Sequence, residues 1–203
     1  MRVLGLTGSI AMGKSTAALL LRRLRVPVYD ADAAIHALLA RGGAGVAPVA
    51  AAFPGCVRGR AVDRAALGAR VFGDPAALAR LEAILHPLAR AGRAAFLATH
   101  MRRRTKLVCL DVPLLYETMG ETACDLVVVV SASATIQRMR ALARPGMDER
   151  RLAAILARQM PDAKKRVLAD IVAVTALGRL PTLRALRKAA RLALSRPSRR
   201  RPH

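Results

Sequence analysis

The sequence predicts an α/β fold: a five-stranded parallel sheet flanked by helices. Two observations predict it. Five short runs are rich in β-branched and other apolar residues without alternating with polar ones: Val3–Thr7, Arg25–Asp30, Lys106–Asp111, Asp125–Ala132 and Asp170–Val174. Continuous apolar strands are buried on both faces. Between them lie Ala/Leu-rich stretches of helical length, and strands that alternate with helices form parallel sheets with helical crossovers.

In chain order, Val3–Thr7 enters a glycine turn, and Lys14–Leu24 reads as the first helix. Arg25–Asp30 is the second strand and ends in an acid. Ala31–Ala40 ("ADAAIHALLA") starts a helix, and Arg41–Pro48 ("RGGAGVAP") is a loop. Asp74–His100 is mostly helix, with an interruption expected near Pro87 because proline removes a helical hydrogen bond. Lys106–Asp111 and Asp125–Ala132 are further strands. Gln137–Arg144 and Asp148–Gln159 are helical, separated by the break at Pro145–Gly146. Asp170–Val174 is the last strand and Leu183–Leu194 the last helix. The ending "RLALSRPSRRRPH" is too rich in Pro, Ser and Arg to build a core, so about residues 195–203 are expected to be a disordered basic tail.

Composition bounds the function classes. At 203 residues the chain fits one globular unit with small subdomains. Aromatics are 2% of the chain, so the core must be aliphatic. The net charge of +22 admits a polyanionic partner, but Arg outnumbers Lys 30 to 5 and is scattered throughout, as a chain-wide compositional bias produces. A nucleic-acid binder would also want stacking aromatics, and there are two Tyr and three Phe. No specific nucleic-acid partner and no membrane are expected. Cys56, Cys109 and Cys124 have neither metal-like spacing nor an even count, which fits a reducing cytoplasm. The chain begins with a strand-like run and not with a signal-peptide pattern.

The most specific signal is "GLTGSIAMGKST", in which Gly8, four free positions, Gly13, Lys14 and Ser15 lie between a strand and a helix. This is the context of a Walker A loop. Backbone N–H groups of Ser9, Ile10, Ala11, Met12 and Gly13 can form an anion nest, and the helix N-terminus adds its dipole. Lys14, on an exposed loop, reaches the β/γ-phosphates; the Ser15 hydroxyl ligates Mg²⁺; Thr16 continues the first turn. The loop therefore implies a nucleoside triphosphate and Mg²⁺, and leaves the acceptor open.

Acids at strand ends bear on the acceptor, because ligands in open parallel sheets bind beyond the strands' carboxyl ends. Asp30 and Asp32 sit where the second strand gives way to a helix; either can serve as a proton acceptor or as a helix cap. His36 follows Asp32 by four residues, on the same helical face. Asp111 stands in the place of a Walker B acid and could hold metal through water; it is equally a strand-end acid in a turn. Arg140 and Arg144, four apart, suit phosphate oxygens or a solvated face. Arg144 opens a mobile helical element able to close as a lid.

Six segments in order, "GLTGSIAMGKST", "DADAAIHALL", "LHPL", "DVPLLYE", "QRMRALAR" and "ADIVAV", resemble the dephospho-CoA kinase family over residues 3 to about 190. The resemblance implies a P-loop kinase that transfers the ATP γ-phosphate to the 3′-hydroxyl of the dephospho-CoA ribose. It implies a core of about 1–31, 104–143 and 166–194, a helical substrate-binding insertion of about 32–103, and a lid of about 144–165. Asp32 would be the base, with Lys14 and Arg140 on the phosphates and Arg144 by the nucleotide. Thr7, Asp32, His36, His86, Asp111 and Leu115 would serve the acceptor; in isolation the His86–Pro87 pair is equally structural. Three features depart from the family pattern. Ser9 and Ala11 replace frequent glycines, which is tolerable if φ is negative at both. Thr175 stands where many members have an Asn near the adenine, which bears on purine selection. The Arg-rich tail has no counterpart in the catalytic pattern. A P-loop kinase for another small alcohol, a nucleoside or nucleotide, is the alternative.

Overall fold

The computed structural model describes residues 1–196. The remaining part of the expected tail, 197–203, lies outside the described residues. The chain divides into two compact units, Met1–Tyr29 with the segment from His100 onward, and Asp30–Thr99.

The first unit is built on the five-stranded parallel sheet β2–β5–β1–β6–β7. Its strands are β1 (Arg2–Thr7), β2 (Val28–Asp30), β5 (Leu107–Asp111), β6 (Leu126–Ser131) and β7 (Ile171–Val174). Every residue of β5 and β6 is buried, as their uninterrupted apolar runs require. Alternate residues serve opposite faces. Leu4, Leu6, Val128 and Val130 join Ala17, Leu21, Leu186 and Ala189 of helices α1 (Lys14–Arg23) and α9 (Arg179–Ser195) in one core. On the other face Gly5 has no Cβ, and one would stand 2.9 Å from both Leu115 Cδ2 and Cys124 Sγ. Helices α6 (Ala134–Leu142), α7 (Glu149–Ala157) and α8 (Asp162–Leu168) complete this unit. Among the described residues, no helix is long and apolar enough to cross a membrane.

The second unit contains α2 (Ala31–Leu39), α3 (Val46–Ala52), the hairpin β3 (Val57–Arg58) and β4 (Ala61–Val62), α4 (Arg64–Val71) and most of α5 (Pro75–Arg102). Its own core gathers Leu39, Val49, Phe53, Val62, Leu67 and Leu85. The expected loop at Arg41–Pro48 is shorter, because α3 already begins at Val46. The helix through Pro87 is not interrupted. Pro87 and Ala83, whose carbonyl loses its helical partner, are both exposed, so water can take the place of that bond.

Two other helix limits differ from expectation. The last helix starts at Arg179, four residues early, since Pro181 falls in a first turn whose N–H groups have no helical partner anyway. It also runs to Ser195, and the Arg196 guanidinium donates to Asp170 Oδ1, so 195–196 belong to the folded body. Removal of 197–203 is therefore expected to leave Tm and kcat/KM unchanged. Removal of 196–203 is expected to cost about 1 kcal/mol or less, since the Arg196 side chain is 38% exposed and such pairs contribute little. Thermal melts of the two truncations check this; a large loss on removing 197–203 alone would contradict it.

Candidate active site

The turn after β1 is shaped by two glycines. A Cβ on Gly8 would lie 2.4 Å from Val130 Cγ2 and 2.6 Å from the Val130 oxygen, so no side chain fits where the chain leaves the sheet. Gly13 has φ +90°, and a Cβ there would stand 2.9–3.1 Å from the Thr175 side chain. Between them the Met12 N–H donates to the Ser9 oxygen at 3.2 Å. The condition of negative φ at Ser9 and Ala11 holds only for Ser9, because Ala11 has φ +61°. That backbone costs about 1 kcal/mol in an L-residue. It is offset by packing: buried Ala11 meets Ala141 and Leu152, with Ile10 and Met147 alongside.

Lys14 is not the bare loop lysine expected. Its Nζ donates to Asp111 Oδ1 at 2.7 Å, and the two side chains are only 16% and 2% exposed. Asp111 ends β5, which pairs directly with β1, Leu6 opposite Asp111. Buried Thr7 donates through Oγ1 to the Pro113 oxygen at 3.0 Å. Ser15 and Thr16 are exposed on the first turn of α1. Leu115, expected to meet substrate, is 1% exposed and fills the space beside Gly5 and Gly120. Its side chain is a packing residue.

The segment after β6 closes on the turn. Arg140, in the last turn of α6, donates to Thr175 Oγ1 at 3.0 Å and to the Thr175 oxygen at 3.2 Å. Gln137 Nε2 donates to the Ile10 oxygen, and the Ile10 N–H donates to Gln159 Oε1, both at 2.9 Å. The Ile10 amide, expected in the anion nest, is thus used to hold the segment that follows α7. Arg144 lies beyond the end of α6 and is exposed, so it does not continue Arg140's helical face.

Sequence reasoning missed Lys165, which is wholly buried on α8. Its Nζ donates to Glu117 Oε1 at 2.9 Å and to the Pro113 oxygen at 3.2 Å. Glu117 Oε1 also accepts the Met160 N–H at 2.8 Å. Burial pushes the Glu117 carboxyl up, but the bonds from Lys165 and Met160 outweigh it and hold the group below the usual value. The acid in "DVPLLYE" was the available signal; only the fold shows its partner. Burial, then Asp170, pushes the Tyr116 hydroxyl up to about 12, so it stays protonated at neutral pH.

In the second unit, Asp30 is the N-cap of α2, its Oδ1 accepting the Ala33 N–H at 2.9 Å. Asp32 is exposed in that helix's first turn. His36 is exposed, with Nε2 2.9 Å from Arg64 Nη1, a bond in which the guanidinium donates and Nε2 accepts. His86 is exposed on α5.

No group of three or more His, Cys, Asp or Glu suited to a metal occurs among the described residues. Mg²⁺ bound together with substrate phosphates needs only one or two hard oxygen ligands. The Ser15 hydroxyl beside Lys14, and the Asp111 carboxylate paired to Lys14, are such ligands, so the residues present fit it.

A glycine turn between strand and helix, with its lysine returned to a buried acid on the neighbouring parallel strand, is the arrangement of the P-loop class of nucleotide-binding proteins. The dephospho-CoA kinase family model matches residues 2–176. A dephospho-CoA kinase of Paramagnetospirillum magneticum is 69% identical over 82% of this chain and 78% of its own. One from Rhodospirillum rubrum is 58% identical over 98% and 94%. The crystal structure of TT1252 from Thermus thermophilus superposes with TM-score 0.79 at 33% identity, covering 96% of this chain and 98% of that one. The dephospho-CoA kinase of Campylobacter jejuni shares the fold, with TM-score 0.65 at 21% identity over 95% and 97%. The chain belongs to the dephospho-CoA kinase family.

The Glu117–Lys165 pair has a pH signature. The folded carboxyl titrates below its unfolded value, so its stabilisation is present above the usual carboxylate range and lost as pH falls through the folded value. Glu117→Gln leaves Lys165 buried without its counter-charge and is expected to cost about 3 kcal/mol at neutral pH. Its Tm should then fall less than wild type's between about pH 6 and pH 3. Parallel Tm–pH curves for the two proteins would contradict this.

Proposed function

We propose that this chain transfers the γ-phosphate of ATP to the 3′-hydroxyl of the dephospho-CoA ribose, giving CoA and ADP. One observation carries the reading: the family match runs from residue 2 to 176, through the second unit as well as the phosphate turn. A P-loop alone names the donor, whereas a match that includes the insertion also names the acceptor.

In the proposed reaction the 3′-oxygen bonds to the γ-phosphorus while the bond from that phosphorus to the β–γ bridging oxygen breaks, and ADP leaves with the electron pair. Phosphoryl transfer has a loose transition state with charge spread over the phosphoryl oxygens, so positioning and positive charge do most of the catalysis. Lys14 supplies one charge from the turn and Arg140 a second from α6. The Ser15 hydroxyl would hold Mg²⁺, with Asp111 helping through water, and the ion would supply further positive charge to the phosphates. Arg144 and the segment to Gln159 cover the nucleotide, with water kept out by the apolar contacts of Leu152 on Ala11. His36 and His86 serve the acceptor.

Asp32 takes the proton of the 3′-hydroxyl. Support comes from the resemblance, which marks Asp32 as the base; Asp30 is the cap of α2, and Asp32 is exposed in that helix's first turn.

A coupled assay with dephospho-CoA, ATP and Mg²⁺ is expected to yield CoA and ADP in equal amounts; turnover of a nucleoside in preference to dephospho-CoA would overturn the assignment. Asp32→Asn should cut kcat by about 10² or more with nucleotide Kd little changed. Asp30→Ala should lower stability by about 1 kcal/mol through the lost cap. A larger kcat defect in Asp30→Ala at unchanged stability would reverse the two roles.

A further inference from the structure

Thr175 is 7% exposed, immediately beyond β7. Its N–H donates to the Ser131 oxygen at 2.9 Å, which fixes it beside the end of β6. Its hydroxyl donates to the Met12 oxygen, inside the phosphate turn, at 2.8 Å; the Ser131 oxygen is more distant at 3.5 Å. The same Oγ1 accepts from Arg140 Nη1, and the Thr175 carbonyl accepts from Arg140 Nη2. Its Oγ1, Cβ and Cγ2 occupy the space that a side chain on Gly13 would need.

A hydroxyl has one proton to give. Here it goes to the Met12 carbonyl, which leaves the oxygen's lone pairs for the guanidinium. Arg140 has five N–H donors in a rigid fork. Two are spent on Thr175, and three remain. A long, half-exposed side chain loses rotamer freedom when it is held for a reaction. Anchoring it beforehand removes part of that loss from the catalytic step. One buried side chain therefore ties the phosphate turn at Met12 and Gly13 to the arginine of α6.

We propose that Thr175 is a positioning residue for phosphoryl transfer: it holds the Arg140 fork in register with the phosphate turn, so that the donors of both meet the same phosphates. Its hydroxyl is committed on both sides, so the sequence's departure at this position bears on the phosphates and not on the purine. The proposal rests on the reading that Arg140 contacts the transferring phosphates.

The test measures kcat, KM for ATP and Tm for Thr175→Ser, Thr175→Val, Thr175→Ala, Arg140→Ala and the double variant Thr175→Val/Arg140→Ala. All assays run below the lowest Tm. Thr175→Ser keeps the hydroxyl and is expected within about threefold of wild type; Thr175→Val keeps the shape and is expected to lose about tenfold, in kcat more than in KM. Thr175→Ala supplies the same comparison if the valine variant does not fold. Arg140→Ala is expected to lose on the order of 10² or more. The deciding value is the double variant, which should be no slower than Arg140→Ala, because a residue that acts through Arg140 has nothing left to position. Multiplying losses would mean that Thr175 acts on the turn alone, and overturn the proposal. So would a valine variant as active as wild type, or a serine variant as slow as valine. Arg140→Ala within tenfold of wild type would instead remove the reading of Arg140 itself, and the proposal with it.

Discussion

Asp111 is a carboxylate buried at the C-terminal end of β5, and the sheet edge around the glycine turn depends on how its charge is met. An uncompensated buried carboxylate is too costly to persist ionised. The sheet order supplies the answer. Since β5 and β1 are parallel neighbours, their carboxyl ends lie at one edge, and the turn leaving β1 returns Lys14 to within 2.7 Å of Asp111. The pair that settles a folding problem also places the site's lysine. In the proposed reaction a phosphate at the turn would compete with Asp111 for that cation.

The Pro113 carbonyl carries this constraint outward. It accepts from Thr7 at the end of β1 and from Lys165 on α8, so the segment after Asp111 is held by the central strand and by that helix. Helix α7 and the segment after it lean on the turn through Leu152 against Ala11 and through Gln159 on the Ile10 amide. Ala11 carries a left-handed φ that glycine would adopt more readily, and its methyl group contributes part of that contact in exchange. The turn is thus also the surface on which α7 and the segment after it rest.

Most of the sheet was legible because buried parallel strands leave an unmistakable trace: β5 and β6 are apolar at nearly every position. The phosphate turn was legible because its glycines answer to sterics that any chain must obey at that bend. The second unit was read less well. Its hairpin has two-residue strands joined at Gly59 and Arg60, both with positive φ, and an arginine there carries no turn signal of the kind asparagine gives. At α5, proline's local preference was overridden by the surrounding helix. In the site, pairs distant in sequence escaped notice. Lys165 with Glu117, Thr175 with Arg140, and Lys14 with Asp111 are separated by 48, 35 and 97 positions, and only the fold shows which groups meet. Leu115 was placed with the acceptor from its motif alone, and burial beside Gly5 is a packing role that only the fold shows.

The account stands on Lys14 acting at the transferring phosphate as well as on Asp111. The direct measurement is single-turnover phosphoryl transfer from ATP to dephospho-CoA by Lys14→Ala. It is made well below that variant's own Tm, with Lys14→Ala/Asp111→Asn alongside to remove the orphaned charge. A loss on the order of 10²–10³ in Lys14→Ala, and a loss no smaller in the double variant, which regains thermal stability but also lacks the Asp111 carboxylate, is the predicted result. Transfer within about tenfold of wild type in the stabilised double variant would contradict it.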